Sequence, residues 1–161
     1  AVLIFGVVAH YRVLGVPGVG YPHTRRLASA WAQMSNKIER IEDGVERETG
    51  EKPLIVGMDR YVIASEVAFY DSDSDGVANT CGRHLFGRED LMYKYWFPPQ
   101  LQNHRTVILV GFEPQDLDSR AVTSHFSRVE PIQKEDILKH GRPAGRFYYR
   151  IAHNYKEIVA K

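Results

Sequence analysis

Two short runs, LIVGM at 54–58 and TVILVG at 106–111, carry no charged residue and no alternation between apolar and polar positions. A strand with one wet face alternates, whereas a strand that is apolar throughout has to be covered on both faces. Such cover takes helices on both sides of a sheet, and the chain supplies them. Leu27, Trp31, Met34, Ile38, Ile41 and Val45 recur at spacings of four and three, which predicts a helix over 24–49 with one apolar stripe. Lys37, Glu39, Arg40, Glu42, Asp43, Glu46 and Arg47 mostly cover the rest of it, with Thr24 placed to cap the start and Gly50 to stop the end.

Residues 60–70, RYVIASEVAFY, read as a second helix in which Tyr61, Ala64, Ser65 and Ala68 or Phe69 share a face. A strand over 77–81 follows, then an amphipathic helix or long loop over 84–97, stopped by Pro98 and Pro99. A short helix is expected over 114–126 and a short strand over 127–132. After a Gly/Pro turn at 141–145, RFYYRIAHNY reads as an antiparallel edge strand or hairpin arm. This order implies βαβ units with right-handed crossovers. The expected fold is therefore a single-domain, three-layer, Rossmann-like α/β architecture with a mostly parallel sheet and a C-terminal antiparallel edge strand.

At 161 residues the chain is long enough for a real core without disulfides. Its single cysteine, Cys81, excludes an internal disulfide and a Cys-rich metal centre, and reads as a small buried hydrophobe. A net charge of +1 gives no electrostatic reason to expect a nucleic-acid partner. The apolar run from Ala1 to Ala9 is far short of the roughly 20 residues that span a bilayer. It also lacks the basic start and cleavage site of a signal peptide. Residues 1–22 are thus either an N-terminal strand and linker or the tail of a membrane helix, and 23–161 form the soluble α/β domain.

Chemistry concentrates in MDRYVIASEVAFYDSDSDG at 58–76. Asp59 and Arg60 fall at the C-terminal edge of a parallel strand, where open α/β sheets bind ligands. There Asp59 would accept a sugar hydroxyl and Arg60 would pair with phosphate. The competing reading makes Asp59 a helix cap and Arg60 half of a surface ion pair. In DSDSDG, Asp71, Asp73 and Asp75 take positions one, three and five of a calcium loop, with Gly76 at six and Asn79 at nine. Position twelve, however, is Gly82 where a glutamate belongs, so an acidic turn competes with a cation site. VGMDRY has one glycine and GVPGVG at 15–20 opens no Walker loop, so no nucleotide fingerprint is present and no cofactor is expected. HExxH and G-x-S-x-G are also absent, Ser65 reads as a packing residue, and no catalytic residue is assigned. His84 with Asp90, or His104 with Asp116, would need the fold to bring them together. The polar–aromatic stretch 83–99 offers Arg83, Asp90, Tyr93 and Trp96 as ligand-binding candidates, and YKYWFPP as a glycan-stacking or partner surface. Against that, Trp96 and Phe97 would close the core.

The stretch KPLIVGMDRYVIASEVAFYDSDSDGVANTCGRHLFGREDLMYKYW, with the later TVILVG strand, resembles the soluble C-terminal region of some bacterial membrane glycosyltransferases. These belong to the dolichyl-phosphate-mannose–protein mannosyltransferase-like superfamily, and the resemblance covers roughly residues 20–155. It implies a polytopic parent that transfers sugar from a polyprenyl-phosphate donor, with its catalytic acids in loops of a membrane part that this chain lacks. None of Asp59, Glu66 or Asp71 matches that catalytic loop, so no catalytic role carries over. The resemblance implies a noncatalytic accessory domain on the extracytoplasmic or periplasmic face, aiding acceptor recognition. Its partners would be the membrane-embedded catalytic portion of the same parent and a glycan or polyprenyl-phosphate sugar. Two other readings stay open: an independent small-molecule enzyme using Asp59 and Arg60, and a protein-interaction domain using the 93–99 aromatics.

Overall fold

Strand β1 (Leu54–Gly57) is the pivot of the sheet: it pairs in parallel with β2 (Thr80–Gly82) on one side and with β3 (Val107–Gly111) on the other. The structure is a computed structural model and describes residues 2–13, 30–71, 79–90 and 92–158. Beyond β3 lies the long strand β6 (Arg142–Tyr155), antiparallel to it, and β4 (Phe126–Val129) and β5 (Gln133–Lys139) both pair antiparallel with β6. Among the six strands β6 alone runs against the rest, so the open sheet is mixed and mostly parallel. Around it stand α2 (Trp31–Thr49), α3 (Val62–Tyr70) and three short helices, α4 (Tyr93–Trp96), α5 (Pro114–Asp118) and α6 (Arg120–Thr123), and α1 (Val2–Val13) precedes them in the chain.

The apolar runs behave as their composition requires, since every residue of β1 and β3 is buried. Leu54, Val56, Val107 and Leu109 face a cluster with Leu85, Phe86, Tyr93, Phe97, Leu117 and Tyr155. Ile55, Ile108 and Val110 face the other way, onto Met34 and Ile38 of α2, Ile63 and Val67 of α3, and Ile137 and Phe147. Alternate residues thus feed two cores on opposite faces, and three layers result.

The single-domain α/β class stands, with several local corrections. The C-terminal strand is antiparallel, yet it is not an edge strand: β6 lies inside the sheet between β3 and the pair β4 and β5. The cause is β5, which the charged string QKEDILK conceals. Only Ile137 of that string is buried, so its strand character comes from pairing with β6 and not from an apolar pattern. Residues 142–145 belong to β6 and not to a turn; the turn is His140–Gly141, with φ of 51° and 72°. Two consecutive positive φ values match the right-handed twist of a two-residue hairpin.

Helix α2 starts at Trp31, and positions 24–29 of the expected helix lie outside the described residues. Glu42, expected on the solvated face, is buried. Three and four residues from Val45 and Ile38, it falls on the apolar stripe. There it accepts a hydrogen bond from Asn79 Nδ2 at 3.0 Å, and Asn79 Oδ1 in turn accepts an Arg105 N–H at 2.6 Å. The segment expected as helix or loop over 84–97 is a chain of tight turns: a 3₁₀ turn at Arg83–Phe86, then α4. Residues 2–13 are helical, which removes the strand reading of the N-terminus.

Candidate functional site

Because β1, β2 and β3 run in parallel, the segments that follow Gly57, Gly82 and Gly111 all rise from one edge of the sheet. From β1 the chain leaves through α3, whose Ile63 and Val67 join one core, and from β3 it leaves through α5 and α6, whose Leu117 and Val122 join the other. The connections therefore diverge between β1 and β3, the place where an open α/β sheet forms its ligand crevice.

Asp59 stands at that point, and its carboxylate is engaged. Oδ2 accepts the Val62 N–H and Oδ1 accepts the Ile63 N–H, both at 3.0 Å. These are two of the orphan amides at the start of α3, so Asp59 is a cap. Arg60 is exposed and forms no ion pair among the described residues. Helix α3 sits directly on the strand end: a Cβ added at Gly57 would lie 2.8 Å from the Ala64 amide nitrogen. Replacing Asp59 with alanine is expected to cost about 1–2 kcal/mol, and with asparagine much less, in urea unfolding followed by circular dichroism. Equal losses for the two variants would contradict the capping role.

The fold does bring His84 and Asp90 together. His84 Nδ1 lies 3.7 Å from Asp90 Oδ2, beyond hydrogen-bond range, and both side chains are buried. His84 Nε2 donates to the Phe97 carbonyl at 2.8 Å, since a carbonyl can only accept. The Asp90 carboxylate is packed against Gly82, and Ser65 Oγ lies 3.1 Å from the Tyr93 hydroxyl. Burial pushes the Cys81 thiol up, and the nearby negative charge of Asp90 pushes it further. A nucleophilic cysteine needs the opposite shift. Burial likewise raises the Tyr93 hydroxyl, against the lowering effect of its bond to Ser65. The cluster ties the 83–97 segment to β2 and α3.

His104 finds Asn154 Oδ1 at 3.0 Å, not Asp116. Arg83 braces its own loop, Nε donating to the Glu89 carbonyl at 3.3 Å. Asp73 and Asp75 lie outside the described residues, and Asp71 follows the last turn of α3. Among the described residues no three His, Cys, Asp or Glu side chains are grouped to hold a metal ion.

The aromatic stretch divides. Tyr93 and Phe97 are buried, whereas Tyr95 is 65% exposed and Trp96 is 61% exposed. Trp96 therefore does not close the core. Tyr93 and Phe97 are four apart and share a face, and that spacing was the signal for which ring turns inward. Met92 and Leu101 are exposed beside this pair in the sequence, a feature that reading the aromatics alone misses. The second aromatic group is structural: Phe147 is fully buried, and Arg150 donates to the Leu117 carbonyl at 3.2 Å and to Asp118 Oδ1 at 2.7 Å. No protein-family model, curated protein or solved structure matches the chain.

Proposed function

We propose that this chain is a membrane-attached, noncatalytic accessory domain of a polyprenyl-phosphate-sugar-dependent glycosyltransferase. In this reading it sits on the extracytoplasmic face and serves the membrane-embedded catalytic portion in acceptor recognition. The observation that carries the attachment is the circumference of α1. Leu3, Ile4, Phe5, Gly6, Val7 and Val8 are consecutive and all exposed. Successive helical residues are about 100° apart, so these six go right round the helix. An amphipathic docking helix keeps one polar face, and a helix apolar on every side belongs in a core or in lipid. Burying each large side chain is worth roughly 1.5–3 kcal/mol. Helix α1, about 18 Å long, is shorter than the hydrocarbon layer of about 30 Å. No helix among the described residues is long and apolar enough to cross a membrane. The noncatalytic part is supported by the engaged carboxylate of Asp59 and by the burial of His84 and Asp90. The glycosyltransferase context rests on the resemblance of residues 20–155.

The test is flotation of the full chain with phosphatidylcholine–phosphatidylglycerol vesicles. The chain is expected to rise with the lipid, and the Phe5→Asp, Val8→Asp double variant to stay in the dense fraction with an unchanged circular dichroism spectrum. A parent chain that does not float sinks the attachment. Release of sugar from a polyprenyl-phosphate donor by the floated chain sinks the noncatalytic assignment.

A further inference from the structure

We propose that Met92, Tyr95, Trp96 and Leu101 form a second contact with the bilayer, at the level of the lipid headgroups. The inference rests on the reading of α1 as membrane-embedded and deepens it by naming the face of the domain that lies on the lipid. Residues 92–101 read MYKYWFPPQL. Tyr93, Phe97 and Gln102 anchor the segment inward, and Met92, Tyr95, Trp96 and Leu101 are left more than half exposed. Two aliphatic side chains and two amphipathic rings are thus left exposed beside three buried anchors.

The composition fits lipid better than sugar or protein. Trp and Tyr concentrate where one end of the ring is apolar and the other wet, as at a membrane interface. Lys94 is the single charged residue of the segment, and its ammonium lies 5.0 Å from the centre of the Tyr95 ring. A lone cation among apolar side chains, with no acid in the segment, suits an anionic headgroup layer. A glycan platform needs carboxylates or amides converging beside the ring, and among residues 92–101 Gln100 alone offers one.

Tethering makes so small a contact count. Residues 14–29 can reach at most about 60 Å from the end of α1 to the start of α2. A domain of this size has a radius of gyration of about 14 Å, so its whole surface can meet a bilayer that holds α1.

The two tryptophans provide the test, because Trp31 is buried against Phe112 and Trp96 is exposed. The full chain is placed in phosphatidylcholine–phosphatidylglycerol nanodiscs doped with a headgroup nitroxide lipid, and the indole N–H signals are followed by NMR, with Trp96→Phe giving the assignment. The Trp96 signal is expected to broaden away while the Trp31 signal persists. Phosphatidylcholine alone is expected to weaken the broadening, and Lys94→Glu to weaken it further in the anionic discs. If the chain floats with vesicles yet Trp96 stays sharp, the inference falls and attachment through α1 stands. If Trp96 stays sharp beside lipid but shifts saturably with a soluble oligosaccharide, the surface belongs to a glycan and the inference falls. If the chain does not float at all, both readings fall together.

Discussion

Truncating Tyr155 to alanine is expected to cost the fold about 3–5 kcal/mol, a large part of the stability of a domain this size. The side chain is fully buried. Its ring stacks on His125 at 5.6 Å with 3° between the planes and meets Phe126 edge-on at 5.7 Å, so truncation empties the centre of an aromatic cluster. The hydroxyl donates to the Leu85 carbonyl at 2.8 Å and joins the sheet to the 3₁₀ turn after β2. Tyr155→Phe keeps the ring and leaves that carbonyl unpaired, so it is expected to cost about 1–3 kcal/mol. The difference between the two variants in urea unfolding separates ring packing from the hydrogen bond. Equal losses would place all the effect in the hydroxyl and refute the packing account.

The same hydroxyl predicts a dependence on alkaline pH. Burial chiefly holds it above the ordinary tyrosine range. A group whose folded pKa is raised stabilises the fold fully below its unfolded pKa, about 10 for tyrosine, and its contribution is lost as pH rises toward the folded value. The Cys81 thiol has the same sign, beginning near its ordinary value of 9.0. Stability should therefore decline from about pH 9 upward, and the decline above about pH 10 should be shallower in Tyr155→Phe.

How Tyr155 comes to face this core explains what sequence could and could not reveal. Tyr148 and Ala152 point to that core, and strict alternation would aim Asn154 there next. Asn154 instead takes φ 57°, which resets the alternation and turns Tyr155 inward. Across from it His104 takes φ 72°, its N–H donates to the Tyr155 carbonyl, and the Tyr155 N–H donates to the Arg105 carbonyl. Two left-handed residues held by a distant segment leave no local pattern to read. By contrast β1 and β3 were legible because both faces of each are buried, and α2 because its stripe is long. Strand β5 was not, since an outer strand with one buried residue looks like a charged loop until β6 is beside it.

For the site, Asp59 offered two roles from sequence. Only the 3.0 Å distances to the Val62 and Ile63 amides chose between them. The proximity of His84 and Asp90 required a folded 3₁₀ turn, because a gap of six residues is set neither by helix nor by strand spacing. Trp96 could have been read correctly from the one-residue offset that separates it from the Tyr93–Phe97 face.

Gly82→Ala is expected to destabilise the protein by about 3 kcal/mol, at the top of the range for overpacking a core. Backbone freedom is not the reason, since Gly82 has φ −112°, which any residue adopts. The reason is Asp90. A Cβ at position 82 would fall 1.4 Å from Asp90 Oδ2 and 2.5 Å from its Cγ, so the carboxylate would have to leave its buried place. Its departure would drag the loop that also sets His84 and Tyr93. The clash makes a second expectation sharp. Asp90→Ala removes the obstructing atoms, so in the double variant Gly82→Ala should add much less than it does alone, a coupling well above the few tenths of a kcal/mol seen for independent sites. Additive losses would mean that the carboxylate does not pack on Gly82 in solution. A strong coupling would fix Asp90 as a packing element of the β2 edge.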